Sequence, residues 1–133
     1  MKQMTQPISE AAKDAAKAKR ERWELMLDDQ IQAAGLPPGI PARWGDKKYY
    51  IYMQGASHPC QPDRAWPERK LLVEVQGGQW TRGRHTRGTG FEADCRKYSW
   101  YAILGYRVLF ATPTMIEDGT VIDLLRKELE LIQ

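Results

Sequence analysis

Pro62-Asp63-Arg64-Ala65-Trp66-Pro67-Glu68-Arg69-Lys70-Leu71-Leu72-Val73-Glu74-Val75-Gln76 is the stretch that decides the fold. Pro67-Glu68-Arg69 favours a turn, and the apolar run Leu71-Leu72-Val73 beyond it reads as a strand. The pattern predicts a hairpin with strands over 63–66 and 70–76. With its turn centred between Glu68 and Arg69, Asp63 faces Glu74, and such partners share a face with their Cβ atoms about 5 Å apart. Side chains alternate along a strand, so Leu72, Glu74 and Gln76 point one way while Leu71, Val73 and Val75 point into the core. Two bare carboxylates so close repel one another, and a divalent cation removes that penalty. Mg²⁺ or Mn²⁺ takes oxygen ligands and keeps several waters, so Asp63, Glu74 and the backbone carbonyl of Val75 suffice. A pair of solvated carboxylates on an edge hairpin is the alternative, and these residues alone do not choose between the two.

Upstream, Ser9 can cap a long helix in which Trp23, Leu27, Ile31 and Ala34 recur with helical spacing, and Gly35 with Pro37 and Pro38 stops it. Its first half, rich in Ala and Lys, has little to bury. Residues 1–20 therefore read as a mobile or projecting helical extension, or one that orders on a partner, and 21–133 as a single domain. Tyr49-Tyr50-Ile51-Tyr52-Met53 favours a strand ahead of the hairpin. Downstream, the apolar spacing of Tyr98, Tyr101, Ala102 and Leu104 predicts a helix over 91–104 closed by Gly105. A strand follows over 106–111, then a helix over 115–132 interrupted at Gly119. The order is α-β-β-β-α-β-α, and a hairpin followed by a strand–helix–strand crossover predicts an α/β fold with a mixed sheet flanked by helices.

Composition bounds the function loosely. The 133 residues carry a net charge of +3, too mild to identify a nucleic-acid partner. No run of about 18 apolar residues spans a membrane and no signal peptide is evident, so a cytoplasmic protein is expected. Cys60 and Cys95 read as small buried thiols. A zinc set of His58, Cys60, His85 and Cys95 has poor spacing and is disfavoured. Arg82, Arg84 and Arg87 surround His85 in a glycine-rich segment that can follow a phosphate backbone, and Trp80 beside it is a candidate to wedge into DNA. Trp66 and Trp100 read as core residues.

Pro62-Asp63, then Glu74-Val75-Gln76 after ten intervening residues, resembles the signature of the PD-(D/E)XK, or restriction-endonuclease-like, superfamily. The stretch from Asp63 to Gly78, His85, and Phe91-Glu92-Ala93-Asp94-Cys95-Arg96-Lys97-Tyr98 is similar to small phage-type endonucleases related to very-short-patch-repair enzymes. The similarity covers about residues 21 to 115. It implies a restriction-endonuclease-like core and a metal-dependent endonuclease acting on duplex, nicked or branched DNA, with Asp63 and Glu74 holding Mg²⁺ or Mn²⁺. It also implies an acidic contribution from the first helix, for which Glu24 is the candidate, and a histidine after the third strand, for which His85 can relay a proton. The chain departs from the pattern at the terminal lysine, where Gln76 carries no charge and can only orient a water or phosphate through its amide. Lys97, in the following helix, is the candidate to replace that charge. A homodimer is the arrangement expected of a double-strand cutter with one site per chain. Two other readings stay open: a nucleic-acid-binding module that lost the chemistry, and a partner-binding protein in a phage replication or recombination complex.

Overall fold

A computed structural model describes residues 9–41, 49–55, 59–76 and 88–130. The hairpin is built as its sequence predicts. Strand β2 (Arg64–Trp66) pairs antiparallel with β3 (Leu71–Val75). Arg64 stands opposite Val73, Ala65 opposite Leu72 and Trp66 opposite Leu71. Carried one residue outward, that register brings Asp63 level with Glu74. The connection is a single 3₁₀ turn, Pro67–Arg69, with Pro67 at its start and Lys70 in the left-handed conformation at its end. That conformation costs a non-glycine residue about 1–2 kcal/mol. Two contacts offset it here: the Lys70 ammonium lies 4.4 Å from the Tyr106 ring centroid, and the Lys70 carbonyl accepts from the Arg107 amide at 2.8 Å.

Helix α1 (Glu10–Ala33) begins where the Ser9 hydroxyl accepts from the Ala12 amide, and ends before Gly35, whose φ of 71° suits glycine. Its side chains over 10–15 and 17–19 are exposed, whereas Leu27 and Ile31 are buried and Trp23 and Ala34 pack beside them. Helix α2 (Gly88–Ile103) carries the chain from β3 to β4 (Arg107–Ala111), which pairs parallel with β3. Helices α3 (Pro113–Glu117) and α4 (Thr120–Glu130) follow, separated at Gly119. The last predicted helix is thus two, broken where the glycine stands.

The sheet is mixed and four-stranded, but its first strand is not the one expected. Strand β1 (Ile40–Pro41) pairs antiparallel with Ala65 and Arg64, giving the order β1-β2-β3-β4. Tyr49–Met53 contributes a single bridge, Ile51 to Cys60, rather than a strand. Within it Ile51 is buried and Tyr49 meets Tyr106 edge to face, their hydroxyls 2.5 Å apart, while Tyr52 is 75% exposed.

Both faces of β3 are covered. Leu71, Val73 and Val75 join Leu27, Ile31, Leu125 and Leu129 in the larger apolar cluster, and Leu72 joins Ile51, Ala65 and Tyr101 in the smaller. Trp66 is buried as expected; Trp100 is not part of either cluster and lines a surface groove with Cys95 and Ile103. Ala102 and Leu104 are exposed, because α2 turns Tyr98 and Tyr101 inward. The cysteines are free thiols, Cys60 half-buried and Cys95 exposed, so neither is the buried residue its type suggested. Among the described residues, no helix is long and apolar enough to cross a membrane.

Candidate active site

Asp63 sits at the end of the sheet, just ahead of β2, and its Oδ2 accepts from the Val75 amide at 2.7 Å. That bond fixes the Asp63 carboxylate against β3, next to Glu74. Val75, expected to offer its carbonyl, thus serves the site through its N–H.

Glu74 is 6% exposed. The Tyr101 hydroxyl donates to its Oε1 at 3.3 Å, and the Lys97 ammonium lies 3.9 Å from the same oxygen. Burial pushes the Glu74 carboxyl up to about 8; Lys97 opposes the shift, and Asp63 adds to it. Tyr101 is held firmly protonated, first by burial and then by the adjacent carboxylate, and so remains a donor. Burial works hardest against the Lys97 charge, but Glu74, joined by Tyr98, Asp94 and Cys60, raises its pKa and keeps the ammonium protonated.

Glu24 reaches the same place from α1. Burial raises its pKa to about 7, and the Asp63 carboxylate contributes the next largest share. Asp63 is close enough to both glutamates for their carboxyl groups to repel and, once one is protonated, to share a hydrogen bond. The carboxyl groups of Glu24 on α1, Asp63 just ahead of β2 and Glu74 on β3 therefore come together at the end of the β2–β3 pair.

Arg64 braces this arrangement from the α1 side. Its side chain is 1% exposed and grips Asp28 with two bonds, Nε to Oδ1 at 2.8 Å and Nη2 to Oδ2 at 2.7 Å. Nη1 donates to the Asp63 carbonyl at 2.5 Å and lies 3.5 Å from Glu24 Oε1. A planar guanidinium suits such a fork. Gln76 is also engaged: its Nε2 donates to the Tyr98 hydroxyl at 3.2 Å, while its amide continues the sheet to the Ala111 carbonyl.

Of the residues singled out in the sequence, the fold thus gathers Glu24, Asp63, Glu74, Val75, Gln76 and Lys97. Trp80, Arg82, Arg84, His85 and Arg87 lie outside the described residues, as does His58. Sequence reasoning missed Tyr101, Tyr98, Arg64 and Asp28 as parts of the site. A signal existed for two of them. Lys97 and Tyr101 are one helical turn apart on α2, as Glu24 and Asp28 are on α1, so each pair shares a face.

Among the described residues, no three His, Cys, Asp or Glu side chains are grouped so as to hold a metal ion already. One oxygen of each group is instead engaged, Asp63 Oδ2 by the Val75 amide and Glu74 Oε1 by Tyr101 and Lys97. The donor chemistry nevertheless fits a hard divalent cation: carboxylate oxygens at Asp63 and Glu74, whose mutual repulsion a cation would relieve, with most of the remaining positions left to water. Compared with known proteins, the chain matches no family model, no curated protein and no solved structure.

Proposed function

We propose that this chain is a metal-dependent endodeoxyribonuclease with a restriction-endonuclease-like core, hydrolysing phosphodiester bonds in DNA at Asp63 and Glu74. The observation that supports it is the meeting of Glu24, Asp63 and Glu74 at the end of a hairpin, with the Lys97 ammonium 3.9 Å from Glu74. Buried carboxyl groups are expensive to ionise together, and chains rarely gather them without a ligand or a reaction to serve.

Asp63 and Glu74 would hold Mg²⁺ or Mn²⁺, which when bound polarises the phosphate and makes a water nucleophilic near neutral pH. The Val75 amide keeps Asp63 aimed at the site, and Tyr101 orients Glu74. Lys97 supplies the positive charge that Gln76 lacks and offsets the charge of the phosphate. Gln76, held by Tyr98, orients a water or a phosphate oxygen. Glu24 is the third acid, able to take a proton near neutrality. Phosphate-backbone contacts from Arg82, Arg84 and Arg87, a wedge from Trp80 and proton relay by His85 belong to the same proposal. So do a homodimer for double-strand cutting and a cytoplasmic, phage-related setting.

One observation favours a second reading: Gln76 is neutral and already engaged by Tyr98, which suits a nucleic-acid-binding module without catalysis. Supercoiled plasmid and a branched oligonucleotide, incubated with Mg²⁺ or Mn²⁺, separate the two. The nuclease cuts in a metal-dependent way, and Asp63→Ala and Glu74→Ala abolish cutting. A wild type that binds both DNAs yet leaves them intact, like its variants, contradicts the proposal.

A further inference from the structure

Asp63, Glu74 and Phe110 form one row across the sheet. The antiparallel register carried outward sets Asp63 against Glu74, and the parallel register sets Glu74 opposite Phe110. Neighbouring strands lie about 4.8 Å apart, so the row runs from acid to acid to aromatic ring over roughly 10 Å. Strand β4 is the edge of the described sheet, and Phe110 is 41% exposed there. Two residues earlier on the same face, Val108 packs into the smaller apolar cluster, so the exposure begins where the polar site begins.

The ring is braced rather than loose. Tyr98 meets it at 5.0 Å between centroids with the planes at 83°. The same Tyr98 holds Gln76 and carries the Lys97 ammonium 4.9 Å from its ring centroid. An exposed aromatic ring with a cation on its aromatic neighbour offers the two elements by which proteins hold unpaired nucleotides: the base stacks and the cation meets the phosphate. Inside an intact duplex both faces of a base are covered by its neighbours, so away from a helix end such a ring receives a base that has left the stack.

We propose that Phe110, braced by Tyr98, is a stacking platform for an unpaired nucleobase beside the phosphodiester bond cut at Asp63 and Glu74. The substrate class is then DNA with an unpaired or single-stranded nucleotide at the cut. The inference rests on the nuclease reading for the bond that is cut, but the platform can be measured without cleavage.

The test uses the full chain in EDTA and three DNA hairpins whose loop is a non-nucleotide linker: one with a single unpaired 2-aminopurine nucleotide in the stem, one with an abasic site in its place, and one fully paired. Wild type should bind the unpaired base about 5- to 100-fold more tightly than the abasic hairpin and quench its fluorescence. Phe110→Leu should lose both effects while melting at the wild-type temperature, and Phe110→Trp should keep them. Equal binding of all three hairpins by wild type overturns the proposal, and so does quenching that survives Phe110→Leu. If Phe110→Leu does not fold, the wild-type preference for base over abasic site, with its retention in Phe110→Trp, decides the matter. A protein that stacks the base but cuts nothing with Mg²⁺ or Mn²⁺ ends the nuclease reading and keeps the platform. One that cuts without any preference for the base does the reverse.

Discussion

The two faces of β3 are equally dry and chemically opposite. Leu71, Val73 and Val75 join the apolar cluster built with α1 and the C-terminal helices, whereas Leu72, Glu74 and Gln76 run from apolar to acidic to amide beneath α2. All five residues of β3 are buried, so exposure does not distinguish the faces. Their difference lies in what burial does: it stabilises one side by about 1.5–3 kcal/mol for each large apolar side chain, and on the other it holds a carboxyl group protonated near neutrality. The α1 face secures the fold, which lets the α2 face keep groups that oppose it.

The sharpest break in that comparison is Arg64, a charged residue on the α1 side of the hairpin. Removing one partner of a buried ion pair costs about 3–5 kcal/mol, so Arg64→Ala should lower stability by that amount in urea unfolding and leave Asp28 and Glu24 uncompensated. Leu71→Ala should cost about 2–5 kcal/mol in the same measurement. Neither change removes a group from the row of carboxylates. Cleavage measured per folded molecule should therefore survive Leu71→Ala.

On the α2 face the expected sign reverses. Unfolded, Glu74 titrates near 4.5; folded, it keeps its proton to about 8. Between those values the folded state binds more protons, so this group's contribution makes stability fall as pH rises, levelling above about 8. Glu74→Gln, which has no proton to lose, should flatten much of that fall and gain about 1–3 kcal/mol at pH 9, measured by unfolding at pH 5 and pH 9. Glu24, raised to about 7, leaves a smaller slope in the variant. Tyr101→Phe is the mildest change, costing about 1 kcal/mol for one hydrogen bond. Because that bond lowers the Glu74 pKa, its loss should move the rising limb of a cleavage–pH profile towards alkaline pH.

The contrast between the faces also explains what was legible in the sequence. Period-two alternation and a proline turn fixed the hairpin register, so Asp63 and Glu74 could be paired without coordinates. Ser9, Gly35 and Gly119 marked helix boundaries because capping and positive φ are local matters. Strand β1 was hidden for the opposite reason. Its pairing depends on a close approach in which even a Cβ at Gly39 would come within 3.0 Å of Arg64 and the Trp66 ring, and Pro41 reads as a breaker. Tyr49–Met53 misled because β propensity reports a fit to half-buried surfaces, which that segment supplies without a ladder. Helix α2 and its inward Tyr98 and Tyr101 were legible, but Trp100, Ala102 and Leu104 are apolar too, and only the packed sheet turns them away from the core. Lys97 could be proposed from its place after the motif, whereas the bonds from Tyr101 to Glu74 and from Arg64 to Asp28 join elements far apart in the chain.

The central claim is that the acidic face is held ready for a divalent cation, and thermal unfolding at pH 8 with and without Mn²⁺ tests it most directly. The wild type should melt higher with Mn²⁺, because an ion bound only by the folded state stabilises it. Asp63→Asn and Glu74→Gln should melt higher than wild type without the ion and gain little from it. Equal gains in all three proteins, or none in the wild type, would contradict the account.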